Sequence, residues 1–123
     1  MDNSRGIAWK KEGIEDSDLT VHNVEQTEEV KSSLISVYLD ISLCNIKIEK
    51  WSESVAACDE ALELDPNHVK ALYRKAIAVT TPAGSGLDDY KQAIHLLKKA
   101  IRLEPSNTVL RERLAEFQQF LDE

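Results

Sequence analysis

Cysteine is nearly absent from this chain of 123 residues: only Cys44 and Cys58 occur, too few for the stapled frameworks of small secreted domains. Both fall inside helical patterns, so they are expected as buried thiols at core positions rather than as a redox pair. The three histidines, His22, His68 and His95, are widely separated, and neither His-x-x-x-His nor Cys-x-x-Cys spacing occurs. The residues therefore give no metal site and call for no cofactor. No Ser/His/Asp or Cys/His arrangement can be argued, and Gly84-Ser85-Gly86 is too short and wrongly placed for a phosphate loop. Basic charge is also scarce. With 15 Lys and Arg against 22 Asp and Glu, the formal net charge is −7, the wrong sign for a nucleic-acid platform. Apolar runs are far too short to span a bilayer, and no signal-peptide pattern opens the chain. The expected compartment is the cytosol or nucleus, and the expected partners exclude nucleic acid and membrane.

What is present is helix. A hydrophobic fraction of 42% and a charged fraction of 30% fit one globular domain large enough to bury a core. No segment alternates with period two long enough to make a strand. Residues 4–11 read as a short helix anchored by Ile7, Ala8 and Trp9, and residues 12–26 as a solvated acidic connection. From Thr27, a candidate cap, to Ile48 the residues Val30, Leu34, Val37, Tyr38, Ile41, Leu43, Cys44, Ile46 and Ile48 recur at helical intervals. Further helices are expected over 51–64, after Pro66, over 88–103 and over 106–122. Pro82, Gly84 and Gly86 mark a loop between the second and third of these.

One phrase occurs twice. Ala61-Leu62-Glu63-Leu64-Asp65-Pro66-Asn67 returns as Ala100-Ile101-Arg102-Leu103-Glu104-Pro105-Ser106, and the two prolines lie 39 residues apart. Each copy closes one helix and opens the next, with the acid expected to cap and the proline expected in the first helical turn. Such a period means stacked helical hairpins, each burying its apolar face only against its neighbours.

The small and large positions of these hairpins resemble the tetratricopeptide repeat (TPR). Tyr38, Ile41 and Ser42 match its helix A, Ser54, Cys58 and Ala61 its helix B, and Pro66 its terminal proline. Leu72 and Ala76, then Ala93, Leu97, Ala100 and Pro105, give a second copy. Its period exceeds the usual 34 residues, and the excess is placed in the loop 82–86. The resemblance implies an all-α fold, a right-handed superhelical stack forming a single domain. Within it, 27–68 form one repeat, 69–105 the next and 106–122 a capping helix.

Val37-Tyr38-Leu39-Asp40-Ile41-Ser42-Leu43-Cys44 and Lys70-Ala71-Leu72-Tyr73-Arg74-Lys75 further resemble the C-terminal TPR domain of large immunophilins, the FK506-binding-protein and cyclophilin co-chaperones. On that alignment residues 4–11 are the last helix of a preceding repeat. The resemblance implies a non-catalytic protein-binding module. Relatives carry a prolyl isomerase domain ahead of the repeats, and no segment here corresponds to it. The implied partner is a protein or peptide, the acidic C-terminal tail of a heat-shock chaperone ending Glu-Glu-Val-Asp, held in a concave groove. That groove should be lined by Ser36, Leu39, Leu43, Lys47, Tyr73 and Ile77.

Within the groove Lys70 and Arg74, one helical turn apart, match carboxylate-clamp positions, where cationic donors form charge-assisted hydrogen bonds with the peptide. Asp40 departs from the pattern, because relatives place an asparagine there. An ionised aspartate only accepts, and two like charges about 4 Å apart repel by roughly 4 kcal/mol at an effective dielectric near 20. Asp40 is then expected to pair with Arg74 or Lys70. The alternative function is a scaffold that docks another protein surface and keeps a vestigial clamp.

Overall fold

Neither glycine nor proline interrupts residues 14–65, so nothing in the backbone stops a helix from propagating there. The structure, a computed structural model, describes residues 16–122, with side chains from residue 28 onward. Five helices make up the described residues: α1 Asp16–Lys47, α2 Trp51–Leu64, α3 Val69–Thr80, α4 Leu87–Leu103 and α5 Thr108–Asp122. No strand occurs among them. The short helix expected over 4–11 lies outside the described residues.

Helix α1 corrects one boundary. The acidic stretch expected as a connection is helical from Asp16, and Thr27 sits inside the helix rather than capping it. No glycine or proline follows Asp16 before the helix ends, so nothing breaks it. The chain divides into two units, Met1–Ser33 and Leu34–Glu123. The core, the clefts and the candidate groove residues all belong to the second.

In that unit α2 packs on α3, α3 on α4, and α4 on α5. Leu72, Ala76, Ala93, Ile94, Leu97, Ala100, Leu110 and Phe117 form the main core. Leu72 and Leu97 are essentially sealed, each contributing about 1.5–3 kcal/mol by burial. Ile35 and Leu39 of α1 join Ala61 and Ala71 in a second cluster. Alanine at positions 57, 61, 71, 76, 93 and 100 is buried, which lets helix backbones approach closely.

The repeated phrase becomes a repeated bond pattern. Asp65 N–H donates to the Ala61 carbonyl at 3.0 Å and Glu104 N–H to the Ala100 carbonyl at 2.9 Å. His68 N–H then closes a turn on Asp65, and Asn107 N–H an equivalent turn on Glu104, each at 3.1 Å. The prolines lie in these turns, ahead of the helices rather than in their first turn. The caps follow the prolines. His68 Nδ1 accepts from Ala71 N–H at 3.4 Å, and Asn107 Oδ1 accepts from Val109 N–H at 3.1 Å and Leu110 N–H at 3.4 Å. Asp65 instead accepts from Asn67 N–H, so the acid stabilises the turn while the residue nearest the helix caps it.

Residues 81–86 join α3 to α4. Gly84 has φ +91°, a left-handed conformation that glycine adopts without Cβ strain. Ser85 Oγ donates to the carbonyls of Val79 and Pro82, and Gly86 N–H donates to the Asp89 carboxylate at 2.9 Å.

Candidate functional site

Three odd-numbered helices of the second unit meet in sequence order: α1 touches α3, and α3 touches α5. The first junction is made by Ile35, Leu39 and Ala71 and by Arg74, whose Nη1 donates to the Leu39 carbonyl at 2.8 Å. The second is made by Tyr73 and Leu110 in the main core and by Arg113, whose Nη2 donates to the Tyr73 hydroxyl at 3.4 Å. Two neighbouring candidate residues of α3 thus face different partners, Arg74 meeting α1 and Tyr73 meeting α5.

Of the candidate residues Ser36, Asp40, Leu43, Lys47 and Lys70 are exposed, while Tyr73, Arg74 and Ile77 are half-buried. Leu39 is a correction. Its side chain is only 5% exposed and belongs to the core cluster with Ile35, because the two are four residues apart on the buried face of α1. Only the Leu39 carbonyl reaches the candidate site. Ile77 likewise packs against the main core, as does the ring of Tyr73.

Asp40 is a second correction. It makes no ion pair with Arg74 or Lys70 among the described residues. Arg74 is held by the backbone one residue earlier, so its fork meets a carbonyl rather than the carboxylate. Lys75 does pair across helices, with Asp59 of α2 at 2.7 Å. That half-exposed contact contributes less than about 1 kcal/mol.

A cleft of about 220 Å³ opens beside Lys70 and Tyr73, lined also by Val69, Glu104, Asn107, Val109 and Leu110. It has an apolar floor and a rim carrying one amine and one carboxylate. A larger cleft of about 430 Å³ lies under the 81–86 connection, between Trp51, Val55, Val79, Pro82 and Asp89. Sequence reasoning missed both, since each is closed by residues far apart in the chain.

The cysteines differ from expectation. Cys58 is fully buried, but Cys44 is exposed. The physical reason is the face of α1 that turns inward: Ile35, Leu39 and Ser42 are buried, whereas Leu34, Val37, Ile41 and Ile48 stand 40%, 51%, 43% and 61% exposed. Cys44 lies on that second stripe. The buried thiol meets two hydroxyls. Ser42 Oγ is 2.8 Å from Ser54 Oγ and 3.1 Å from Cys58 Sγ, and Ser54 Oγ donates to the Ser42 carbonyl at 3.0 Å. Burial pushes the Cys58 thiol above its ordinary pKa of 9.0, the Ser42 hydrogen bond only partly opposing this.

Comparison with known proteins agrees with the all-helical fold. A tetratricopeptide-repeat family model matches residues 83–107. The chain carries a tetratricopeptide repeat. Its TPR array is similar to part of FK506-binding protein 59 of Drosophila melanogaster, 34% identical over 104 residues, covering 85% of this chain and 22% of that protein. Peptidyl-prolyl cis-trans isomerase FKBP4 of Mus musculus is 30% identical over 95 residues, covering 77% of this chain and 20% of the isomerase. Sperm-associated antigen 1 of the same organism is 32% identical over 84 residues, covering 68% of this chain and 9% of the antigen. The chain thus spans about a fifth, or less, of these relatives. Among solved structures, the C-terminal TPR-containing domain of a Plasmodium falciparum FK506-binding protein superposes with a TM-score of 0.66 at 25% identity, covering 78% of this chain and 60% of that one. The fold is an all-α TPR array, a protein-interaction fold, and it resembles the immunophilin type.

Proposed function

We propose that this TPR array binds an acidic C-terminal peptide, of the kind that ends heat-shock chaperones, through the surface shared by α1, α3 and α5. One observation carries the reading: Lys70 and Arg74 lie a turn apart on α3, and Lys70 lines a cleft shared with Val69, Tyr73 and Leu110. A peptide carboxylate meets a cation there, and an aliphatic side chain meets a cleft. The likeness to FK506-binding proteins supports a co-chaperone role, and an isomerase domain in the same parent protein belongs to this proposal.

The second reading, a scaffold with a vestigial clamp, is favoured by Asp40, which adds an exposed carboxylate one residue from the carbonyl that holds Arg74. Calorimetric titration with a peptide ending Glu-Glu-Val-Asp separates the two. The clamp reading expects weak binding by the native chain and tighter binding by Asp40→Asn, which removes a repulsive charge and restores a donor. The gain should vanish for an amidated peptide and shrink with added salt. An Asp40→Asn chain that binds no better, or binds the amidated peptide equally, leaves the scaffold.

A further inference from the structure

Arg74 spends one arm of its guanidinium on the Leu39 carbonyl, whereas two other cations, Lys70 and Arg113, lie beside Tyr73. Lys70 approaches from α3 and lines the 220 Å³ cleft. Arg113 approaches from α5, one turn beyond Val109 on the same helical face, and reaches the Tyr73 hydroxyl. A phenol that accepts from a guanidinium still has its own O–H to donate. A carboxylate arriving at Tyr73 would therefore meet an O–H, the remaining N–H groups of Arg113 and the ammonium of Lys70, all charge-assisted or polarised donors.

The two acids nearby do not cancel this set. Glu116 pairs with Arg113 Nη1 at 3.5 Å, but its side chain is 60% exposed, and exposed pairs of this length hold weakly. Glu104 accepts from Asn107 Nδ2 at 3.0 Å, which ties it to its own turn. Next to the donors, Val69, Val109 and Leu110 offer an apolar wall. The chemistry matched is an acidic side chain adjoining an aliphatic one.

We propose that Arg113 is a specificity-determining residue of the peptide site, receiving an acidic side chain of the bound peptide together with Lys70 and the Tyr73 hydroxyl. The proposal rests on the peptide-binding reading above and deepens it. It assigns recognition of an internal acid to the capping helix, with Lys70 shared between that acid and the terminal carboxylate.

The test uses the Asp40→Asn chain and three peptides: one ending Glu-Glu-Val-Asp, one ending Gln-Gln-Val-Asp, and the first one amidated. Arg113→Gln should weaken the first peptide roughly tenfold, the effect of losing one hydrogen bond to a charged group. It should leave the Gln-Gln peptide unchanged. Arg113→Lys, which keeps the charge, should recover part of the loss, and Arg102→Gln, on the exposed side of α4, should have no effect. Equal thermal melts establish that each variant is folded. If Arg113→Gln weakens both free-acid peptides equally, or neither, the assignment to Arg113 is wrong while the clamp reading survives. If no free-acid peptide binds the Asp40→Asn chain, both fall together.

Discussion

The guanidinium of Arg74 donates to the carbonyl of Leu39 at 2.8 Å, across 35 residues of sequence. The bond pins α3 to α1 at the point where the side chain of Leu39 turns into the core. A residue proposed to hold a ligand is thus also a brace between two helices.

Replacing Arg74 by Ala should therefore lower stability as well as affinity. A half-buried, charged donor to a backbone carbonyl is expected to contribute about 1 kcal/mol, the lower end for its kind because solvent reaches it. Lys70→Ala, an exposed residue of the same helix face, should leave stability within about 0.5 kcal/mol. Urea unfolding of the two variants checks this, and equal midpoints would show that the brace carries no load.

The thiols should behave oppositely. Cys44 is exposed and should react with a thiol reagent at neutral pH in the native state. Cys58 is sealed under Ser42 and Ser54, and its raised pKa keeps it protonated and unreactive. One equivalent should be labelled natively and two after denaturation. The linkage has a definite sign. The folded-state pKa lies above the unfolded value of 9.0, so the unfolded chain loses this proton first as pH rises. The contribution to stability is complete below pH 9 and declines above it, towards the folded-state pKa. Ser42→Ala, which removes the hydroxyl facing both Ser54 and Cys58, should cost about 1–2 kcal/mol.

Ala61 and Ala100 are each 0% exposed and open the two copies of the repeated phrase. Enlarging either to Leu inserts three carbons where helices already touch, and should destabilise by about 1–3 kcal/mol through strain. Thermal melts read the effect. Unchanged melts in both variants would mean that the alanines do not set the helix spacing.

Much of this was legible before any coordinates. The doubled phrase marks two equivalent helix ends, although its prolines sit ahead of the next helix rather than inside it, and close approach is expected at Ala61, Ala76 and Ala100. The stripe of α4 was also plain, because Ala93, Ile94, Leu97 and Ala100 are flanked by charged residues. Helix α1 was harder. It is apolar on two faces, and periodicity alone does not say that Ile35 and Leu39 turn inward while Val37 and Ile41 stand exposed. Its start at Asp16 was hidden because acidic residues without an apolar stripe read as coil. The bonds that define the candidate site were out of reach for another reason. Arg74 to Leu39 and Arg113 to Tyr73 join residues 35 and 40 apart, and no local pattern encodes such pairings.

The turn at Gly84 has a use that follows from its geometry. Nothing lies within 4 Å of where a Cβ would project from that glycine, and the twin turns at Asp65 and Glu104 form their bonds without it. The link between α3 and α4 is therefore a port in the chain, a place to splice in a tag, an epitope or a reporter. Each doubling of the spliced length would cost only about 0.6 kcal/mol in closure entropy, provided Gly84 keeps its left-handed backbone. An immobilised or fluorescent version of the module could be anchored there, leaving α1, α3 and α5 free to meet a peptide.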